Sequence, residues 1–303
     1  DQVLGVLDLA GRLSTSLAGA LAGCRTEEVD RMSFKGGTPM NHRTVLWTLV
    51  LFGAVTAAHG QTPGNIFQAT LGESGQRTVE VSTEKLKAIL ANKSAVVLDT
   101  RPFREFAISH IPGAVNVAAK PGVPMSAYVS DVTEIGRLLQ GKKETPLVLY
   151  CNGPYCGKSK RLAAELLAAG YTNVRRYQLG IPVWRALGGL TEIEPDGLRH
   201  VVANDRTTVL IDAREADVFR SGTLANARNI PRSGVLEGKD VGEVKRAKDD
   251  GRLPMEDHNT RLIVIGRDVA EAQYVAEALS REAFHNVAYF RGSFQEALAA
   301  LRP

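Results

Sequence analysis

Two cysteines, Cys151 and Cys156, bracket a short turn in the run Tyr150-Cys151-Asn152-Gly153-Pro154-Tyr155-Cys156-Gly157-Lys158-Ser159. A thiol does chemistry as its thiolate, so what matters is whether the surroundings hold a negative charge. Here they are expected to. A helix that starts just after the turn presents unpaired N–H groups and partial positive charge, both of which favour an anion. Gly153 and Gly157 let the backbone curve inwards without steric cost, and Pro154 fixes part of the bend. Lys158 and Ser159 open the helix, and Lys158 adds to the positive field. Successive amides curving round one point make an anion-binding concavity. Nucleophilic chemistry at Cys151, with a lowered thiol pKa, is the reading; the alternative is a small residue packed after a buried strand.

The flanking residues supply the elements that position this turn. Leu147–Tyr150 is short, apolar and β-prone, and Leu162, Ala163, Leu166 and Leu167 recur at helical spacing before Gly170 ends the pattern. Upstream, Glu84–Leu90 reads as a helix, Ala95–Leu98 as a buried strand ending at Asp99, and Thr100–Ile108 as a loop and short helix. Gly113–Val117 leads into another strand and Val132–Leu139 is an amphipathic helix. Val174–Tyr177 is the last strand and Pro182–Leu187 a closing helix. Strands alternating with helices predict an α/β fold with a parallel sheet covered on both faces. Binding sites in such sheets lie beyond the carboxyl ends of the strands, where Cys151 falls.

With Asp99-Thr100-Arg101 and Ser109-His110-Ile111-Pro112-Gly113-Ala114 upstream, the strand, Cys-led loop and helix resemble the rhodanese family. The resemblance runs from about residue 78 to the C-terminus as two tandem copies. Asp212-Ala213-Arg214 repeats Asp99-Thr100-Arg101, and Phe219, Ala227 and Asn229 repeat Phe106, Ala114 and Asn116 at one constant offset. The resemblance implies two rhodanese-like domains, each a parallel sheet flanked by helices. It also implies a sulfurtransferase: a sulfane sulfur passes from a donor such as thiosulfate to Cys151, giving a persulfide that cyanide or a thiol then removes. No cofactor and no metal are implied. In the second copy Gly266 stands where Cys151 would, the loop reads as two residues shorter, and Thr223 replaces His110. Lacking sulfur, that domain is expected to be catalytically silent, serving packing, shielding or partner binding.

Other residues of the motif read more plainly. Asp99 and Arg101 are expected to support the site as a carboxylate and cation holding its wall, and His110 to fix its loop by hydrogen bonding. Tyr177 and Trp184 read as core aromatics. The loop is longer than in thiosulfate-using members, as in the related dual-specificity phosphatases. Those need an arginine at the loop's end, and Lys158-Ser159 stands there instead, which argues against phosphoryl chemistry. Glu105 occupies a place where a cation would suit thiosulfate, so another donor is open. Cys156 has three readings: it closes a disulfide with Cys151, it resolves an oxidised or persulfidated Cys151, or its thiol is idle.

At 303 residues with 44% hydrophobic content the chain has ample material for packed cores. A net charge of +4, with no dense Lys/Arg block, gives nucleic-acid binding little support. Three cysteines are too few for a disulfide framework. Residues 40–60 have the layout of a secretory signal peptide, with basic Asn41-His42-Arg43, an apolar Val45–Ala58 run and small residues at Ala57, Ala58 and Gly60. An uncleaved membrane anchor is the alternative. Because such a signal acts from the N-terminus, residues 1–39 are read as an over-long translation; Lys35-Gly36-Gly37 fits a purine-rich ribosome-binding sequence ahead of the Met40 codon. The expected organisation is then a linker over 61–77, an active domain over 78–192 and a silent one over 193–303. Export to the periplasm or beyond follows from the signal. Two further functions stay open: a thiol–disulfide module with a periplasmic redox partner, and a non-catalytic docking protein.

Overall fold

The computed structural model describes residues 64–122 and 131–302. The segments read as an over-long translation (1–39) and a signal peptide (40–60) lie outside the described residues, as does the start of the linker at 61–63.

The first sheet is built from β1 (Val79–Glu80), β2 (Val96–Asp99), β3 (Val115–Asn116), β4 (Leu147–Tyr150) and β5 (Val174–Tyr177). All pairs are parallel, in the order β1-β5-β4-β2-β3, so β4 lies at the centre. A central parallel strand is buried on both faces and must be apolar throughout. Leu147–Tyr150 is, and its side chains divide by the two-residue period of a strand. Val148 and Tyr150 join one core with Leu86, Ile89, Tyr177, Ile181 and Trp184. Leu147 and Leu149 join the opposite core with Ile135, Leu162, Leu166 and Tyr171. The helices that supply these partners are α1 (Thr83–Asn92), α3 (Asp131–Leu138), α4 (Lys158–Ala168) and α5 (Gly180–Ala186); α2 (Phe103–Ile108) follows β2. Each fully buried leucine here contributes about 2 kcal/mol relative to exposure.

The second sheet repeats the plan with β6 (Thr191–Ile193), β7 (Val209–Asp212), β8 (Arg228–Asn229), β9 (Leu262–Ile265) and β10 (Val287–Phe290), in the parallel order β6-β10-β9-β7-β8. Its helices are α6 (Pro195–Asn204), α7 (Ala216–Ser221), α8 (Gly242–Asp249), α9 (Val269–Arg281) and α10 (Phe294–Leu301). The expected α/β fold of two parallel sheets flanked by helices is the fold observed.

Three details differ from the sequence reading. The boundary at 192/193 cuts through β6, which pairs with β10, so the second sheet begins at Thr191. The described part of the linker is held against the first domain. Glu73 pairs with Lys160 and accepts from Gln178 Nε2 at 2.8 Å, and Gln76 donates to Gln178 Oε1 at 3.0 Å. Polar composition suggested a tether, but these same polar groups are what dock it. Finally, the loop after β9 is residues 266–268 against 151–157 after β4, shorter by more than the two residues expected.

The domains meet along α2 and β6. His110 and Glu192 form an antiparallel bridge, N to O at 3.0 and 2.8 Å, and Glu194 N donates to Ala107 O at 2.8 Å. Gly197 on α6 lies so near α2 that a Cβ would fall 1.9 Å from Ala107 O.

Candidate active site

Cys151 is the first residue beyond β4, at the carboxyl end of the central strand. Its carbonyl accepts from Ile181 N at 3.3 Å, and Cys156 N donates to Gly153 O at 3.1 Å, closing a tight turn within the loop. Gly153 has φ +118° and Gly180 φ +67°, both in the region glycine alone enters freely. Gly180 also allows the loop to lie down: a Cβ there would be 2.4 Å from Gly153 N and 2.5 Å from Cys151 O. The sequence reading passed over Gly180, although an isolated glycine opening a helix is the kind of signal that marks a close backbone approach.

Cys151 and Cys156 are joined by a disulfide, with Cα atoms 6.2 Å apart. Of the three readings of Cys156, the structure displays the first. Cys151 is 2% exposed. Cys156 is half-buried, and Asn152, Pro154, Tyr155 and Gly157 are exposed around it, while Gly153 is buried. The loop therefore faces outward, with Cys156 overlying Cys151. Gly157 precedes α4 without a side chain to cap it, and Lys158 stands half-buried at the first helical position. Ser159 is buried, its hydroxyl 3.5 Å from Arg176 Nη2. The second domain handles the same place in the opposite way. Asp268 caps α9 by accepting from Glu271 N at 2.9 Å, and the Glu271 carboxylate accepts from Arg267 N. One helix start leaves its amides to the loop; the other fills them with carboxylates.

Asp99 and Arg101 form the wall behind the loop. Arg101 Nη2 lies 2.6 Å from Asp99 Oδ2, Arg101 Nε donates to both carboxylate oxygens, and Nη2 reaches Ser109 O. Burial opposes the Arg101 charge, but the hydrogen bond and charge of Asp99 prevail and raise its pKa above the ordinary value. The remaining nitrogen, Nη1, points to Asn152 Oδ1 at 3.4 Å, and Asn152 Nδ2 donates to Glu105. Glu105 thus puts a carboxylate at the loop's edge. Tyr150 donates to Asp99 Oδ2 at 2.7 Å and accepts from Ile111 N; burial first, and then Asp99, push its pKa well above 10. Asn116 closes the frame, donating to Asp99 O and Arg101 O at 3.0 and 2.8 Å.

The second domain reproduces this frame around Asp212, Arg214 and Asn229. Ile265 lacks Tyr150's hydroxyl, and Thr223 Oγ1 takes its place on Asp212 Oδ2 at 2.7 Å. A frame built equally well without a cysteine is a device of the fold, and its contact with the loop is the one from Arg101 Nη1 to Asn152. Trp184 and Tyr177 are core residues, the former donating to Leu190 O at 2.7 Å. Among the described residues no cluster of His, Cys, Asp and Glu is arranged to hold a metal, and no helix is long and apolar enough to cross a membrane.

The model of the rhodanese-like domain matches this chain twice, over residues 82–187 and 196–300. The chain is 32% identical over 95 residues to the adenylyltransferase and sulfurtransferase UBA4 of Meyerozyma guilliermondii, an alignment spanning 31% of this chain and 20% of that protein. Among solved structures it is similar to the thiosulfate sulfurtransferase from Pseudomonas aeruginosa, at 18% identity and a TM-score of 0.30, covering 74% of this chain and 43% of the other. It is also similar to an anaerobic ergothioneine biosynthesis enzyme from Chlorobium limicola, at 15% identity and a TM-score of 0.31, covering 74% and 61%. The chain thus spans a fifth of the length of the curated relative and less than two thirds of these structures. On the two domain matches, this protein belongs to the rhodanese-like domain family.

Proposed function

We propose that this chain is an exported sulfurtransferase that carries a sulfane sulfur on Cys151. The observation that carries the reading is the placement of Cys151 at the end of β4, in an outward loop beside a helix start that no side chain caps. The sulfurtransferase relative supports the same class. In the disulfide form the nucleophile is masked, so the active form is the dithiol.

The reaction needs little beyond this placement. The reduced Cys151 thiolate attacks the outer sulfur of a donor such as thiosulfate; the S–S bond of the donor breaks and sulfite leaves with its electron pair. Cys151 then holds a persulfide anion, which the loop amides, the dipole of α4 and Lys158 stabilise. An acceptor, cyanide or a thiol, attacks the outer sulfur and restores the thiolate. No proton has to be moved by His110, whose ring lies buried between the domains. Glu105 at the loop's edge would repel a dianion, which favours a donor of lower charge than thiosulfate, such as an organic persulfide.

Mass spectrometry of the reduced mature protein after incubation with these donors tests the proposal. In Cys156→Ser, which keeps the nucleophile and removes the second thiol, a gain of one sulfur on Cys151, removed by cyanide and absent when Cys151→Ser is added, is expected; no gain with any donor would overturn the proposal. Export rests on the signal-peptide pattern at 40–60, and N-terminal sequencing of protein from the extracytoplasmic fraction checks it: a mature start near His59 or Gln61 is expected, after cleavage near Ala58 or Gly60. The Cys151–Cys156 bond favours a second reading, a thiol–disulfide module. Redox cycling of that pair with a partner dithiol, together with no sulfane uptake at all, would select it.

A further inference from the structure

The two sulfurs of the disulfide differ in access. Cys151 is 2% exposed, whereas Cys156 is half-buried and follows Tyr155, whose side chain is fully in solvent. They differ also as leaving groups. Cys151 sits at the end of β4 against the uncapped start of α4, where a thiolate is stabilised. Thiol–disulfide exchange requires attack on an accessible sulfur and proceeds faster when the departing thiolate is the more stable one. Both conditions direct an incoming thiol to Cys156 and release Cys151. The turn closed by Cys156 N and Gly153 O holds the two sulfurs within bonding reach. A sulfur added to Cys151 would therefore form beside Cys156.

We propose that Cys156 discharges the Cys151 persulfide as sulfide, so that the protein is a dithiol-dependent, sulfide-releasing sulfurtransferase. The inference rests on the sulfurtransferase reading above. The Cys156 thiol attacks the inner sulfur, Cys151 Sγ. The bond between Sγ and the outer sulfur breaks, and the outer sulfur leaves with the electron pair and the Cys156 proton as hydrosulfide. The new bond is the Cys151–Cys156 disulfide of the structure. A dithiol protein reductant then attacks Cys156 Sγ, and Cys151 departs as the thiolate. The reductant's second thiol attacks the mixed disulfide, freeing Cys156 with a proton and leaving the reductant oxidised. Each turnover consumes one donor sulfur and one dithiol, and the two electrons that turn sulfane sulfur into sulfide come from that dithiol. Cys156 is then a catalytic residue, and the exposed Asn152, Pro154 and Tyr155 are the surface that the reductant meets.

A single-turnover experiment tests this. The chain is reduced, freed of reductant and mixed with an equivalent of thiosulfate or polysulfide; sulfide and intact mass are then read together. Wild type is expected to release about one sulfide per chain and end as the disulfide. Cys156→Ser is expected to retain one added sulfur on Cys151 and to release sulfide only after a dithiol is added. A wild-type chain that keeps the sulfur on Cys151, or moves it to Cys156, overturns the discharge step while leaving sulfur transfer intact. Failure of both proteins to take up sulfur overturns sulfur transfer itself and the discharge with it. A further measurement needs no variant: brief treatment of the oxidised wild type with glutathione, followed by alkylation and peptide mapping. Glutathione on Cys156 and the alkyl group on Cys151 are expected, and the reverse pattern overturns the order of attack.

Discussion

His110 of the first domain and Glu192 of the second meet twice, through paired backbone hydrogen bonds and through Nε2 on the carboxylate at 3.0 Å. The His110 ring is fully buried and stacks on Phe106 with centroids 3.8 Å apart, and its Nδ1 faces Phe106 O at 2.9 Å. Glu192 also accepts from Tyr289 at 2.9 Å and from Gly113 N at 3.3 Å. One carboxylate from β6 therefore fixes the loop next to Ser109, whose carbonyl holds Arg101, which in turn reaches Asn152 beside Cys151. The second domain supports the site wall through this chain of contacts.

Replacing Glu192 by Gln should test that support. Burial raises the Glu192 pKa, but the hydrogen bonds and charge of His110, with Tyr289 and Gly113, outweigh it and hold the pKa below 4.5. A carboxylate with a lowered folded pKa contributes stability that is present above its ordinary value and lost as pH falls through the folded value. Glu192→Gln is expected to cost about 2 kcal/mol at pH 7, since glutamine accepts with only one of its two terminal atoms. The difference from wild type should shrink progressively below pH 4.5, which denaturant titrations across that range would reveal. A difference independent of pH would mean that the charge contributes nothing.

Arg101→Lys should separate charge from geometry. A lysine keeps the cation but cannot bridge Asp99, Ser109 O and Asn152 at once, because its ammonium is a point charge and not a fork. A loss of about 1–3 kcal/mol of stability is expected, as for buried acceptors left without a hydrogen-bond partner. Sulfur uptake by the surviving folded fraction should be slowed and not abolished, since Arg101 acts through Asn152. Stopped persulfide formation in folded protein would instead place Arg101 on the substrate.

How much of this was readable in the sequence depends on how local the cause is. The strand, turn and helix around Cys151 were legible because a short apolar β-prone run, turn glycines and helical spacing all act within a few residues. The repeat was legible because Asp-x-Arg and the asparagine after it build one frame within each copy. β1 and β6 were not, being two and three residues long; what makes them strands is pairing with β5 and β10, far away in the chain. The linker misled for a related reason. Its Glu73 and Gln76 look like solvent-facing polar residues until Lys160 and Gln178 are folded next to them. Glu192 and Gly180 likewise take their meaning from partners brought up by tertiary packing.

Gly180→Ala is expected to damage the Cys151 loop directly. The new methyl would meet Gly153 N at 2.4 Å and Cys151 O at 2.5 Å, both backbone atoms that cannot rotate away, and φ +67° strains alanine besides. The cost should exceed about 1 kcal/mol, the usual gain from removing glycine's freedom having reversed sign. Its signature would be a loop that no longer aligns its two sulfurs. The Cys151–Cys156 disulfide should form more slowly on oxidation, while far-UV circular dichroism stays close to wild type.

Gly266→Cys asks whether the second domain lacks only the sulfur. At Gly266 a Cβ would fall 2.7 Å from Ala272 N, 2.8 Å from Asp268 O and 3.1 Å from the Glu271 Cβ. The connection of 266–268 is too short to arch away as 151–157 does, so a cysteine there has to push α9 outward. The anion site is also taken, because Asp268 and Glu271 already bond the amides that would hold a thiolate. Two carboxylates next to a thiol disfavour its ionisation. The variant is expected to lose about 1–3 kcal/mol, as overpacked sites do. Combined with Cys151→Ser, it should take up no sulfur from any donor that labels Cys156→Ser, as intact-mass measurement would show. Sulfur on residue 266 would mean that the loop length and its capping carboxylates do not silence this domain.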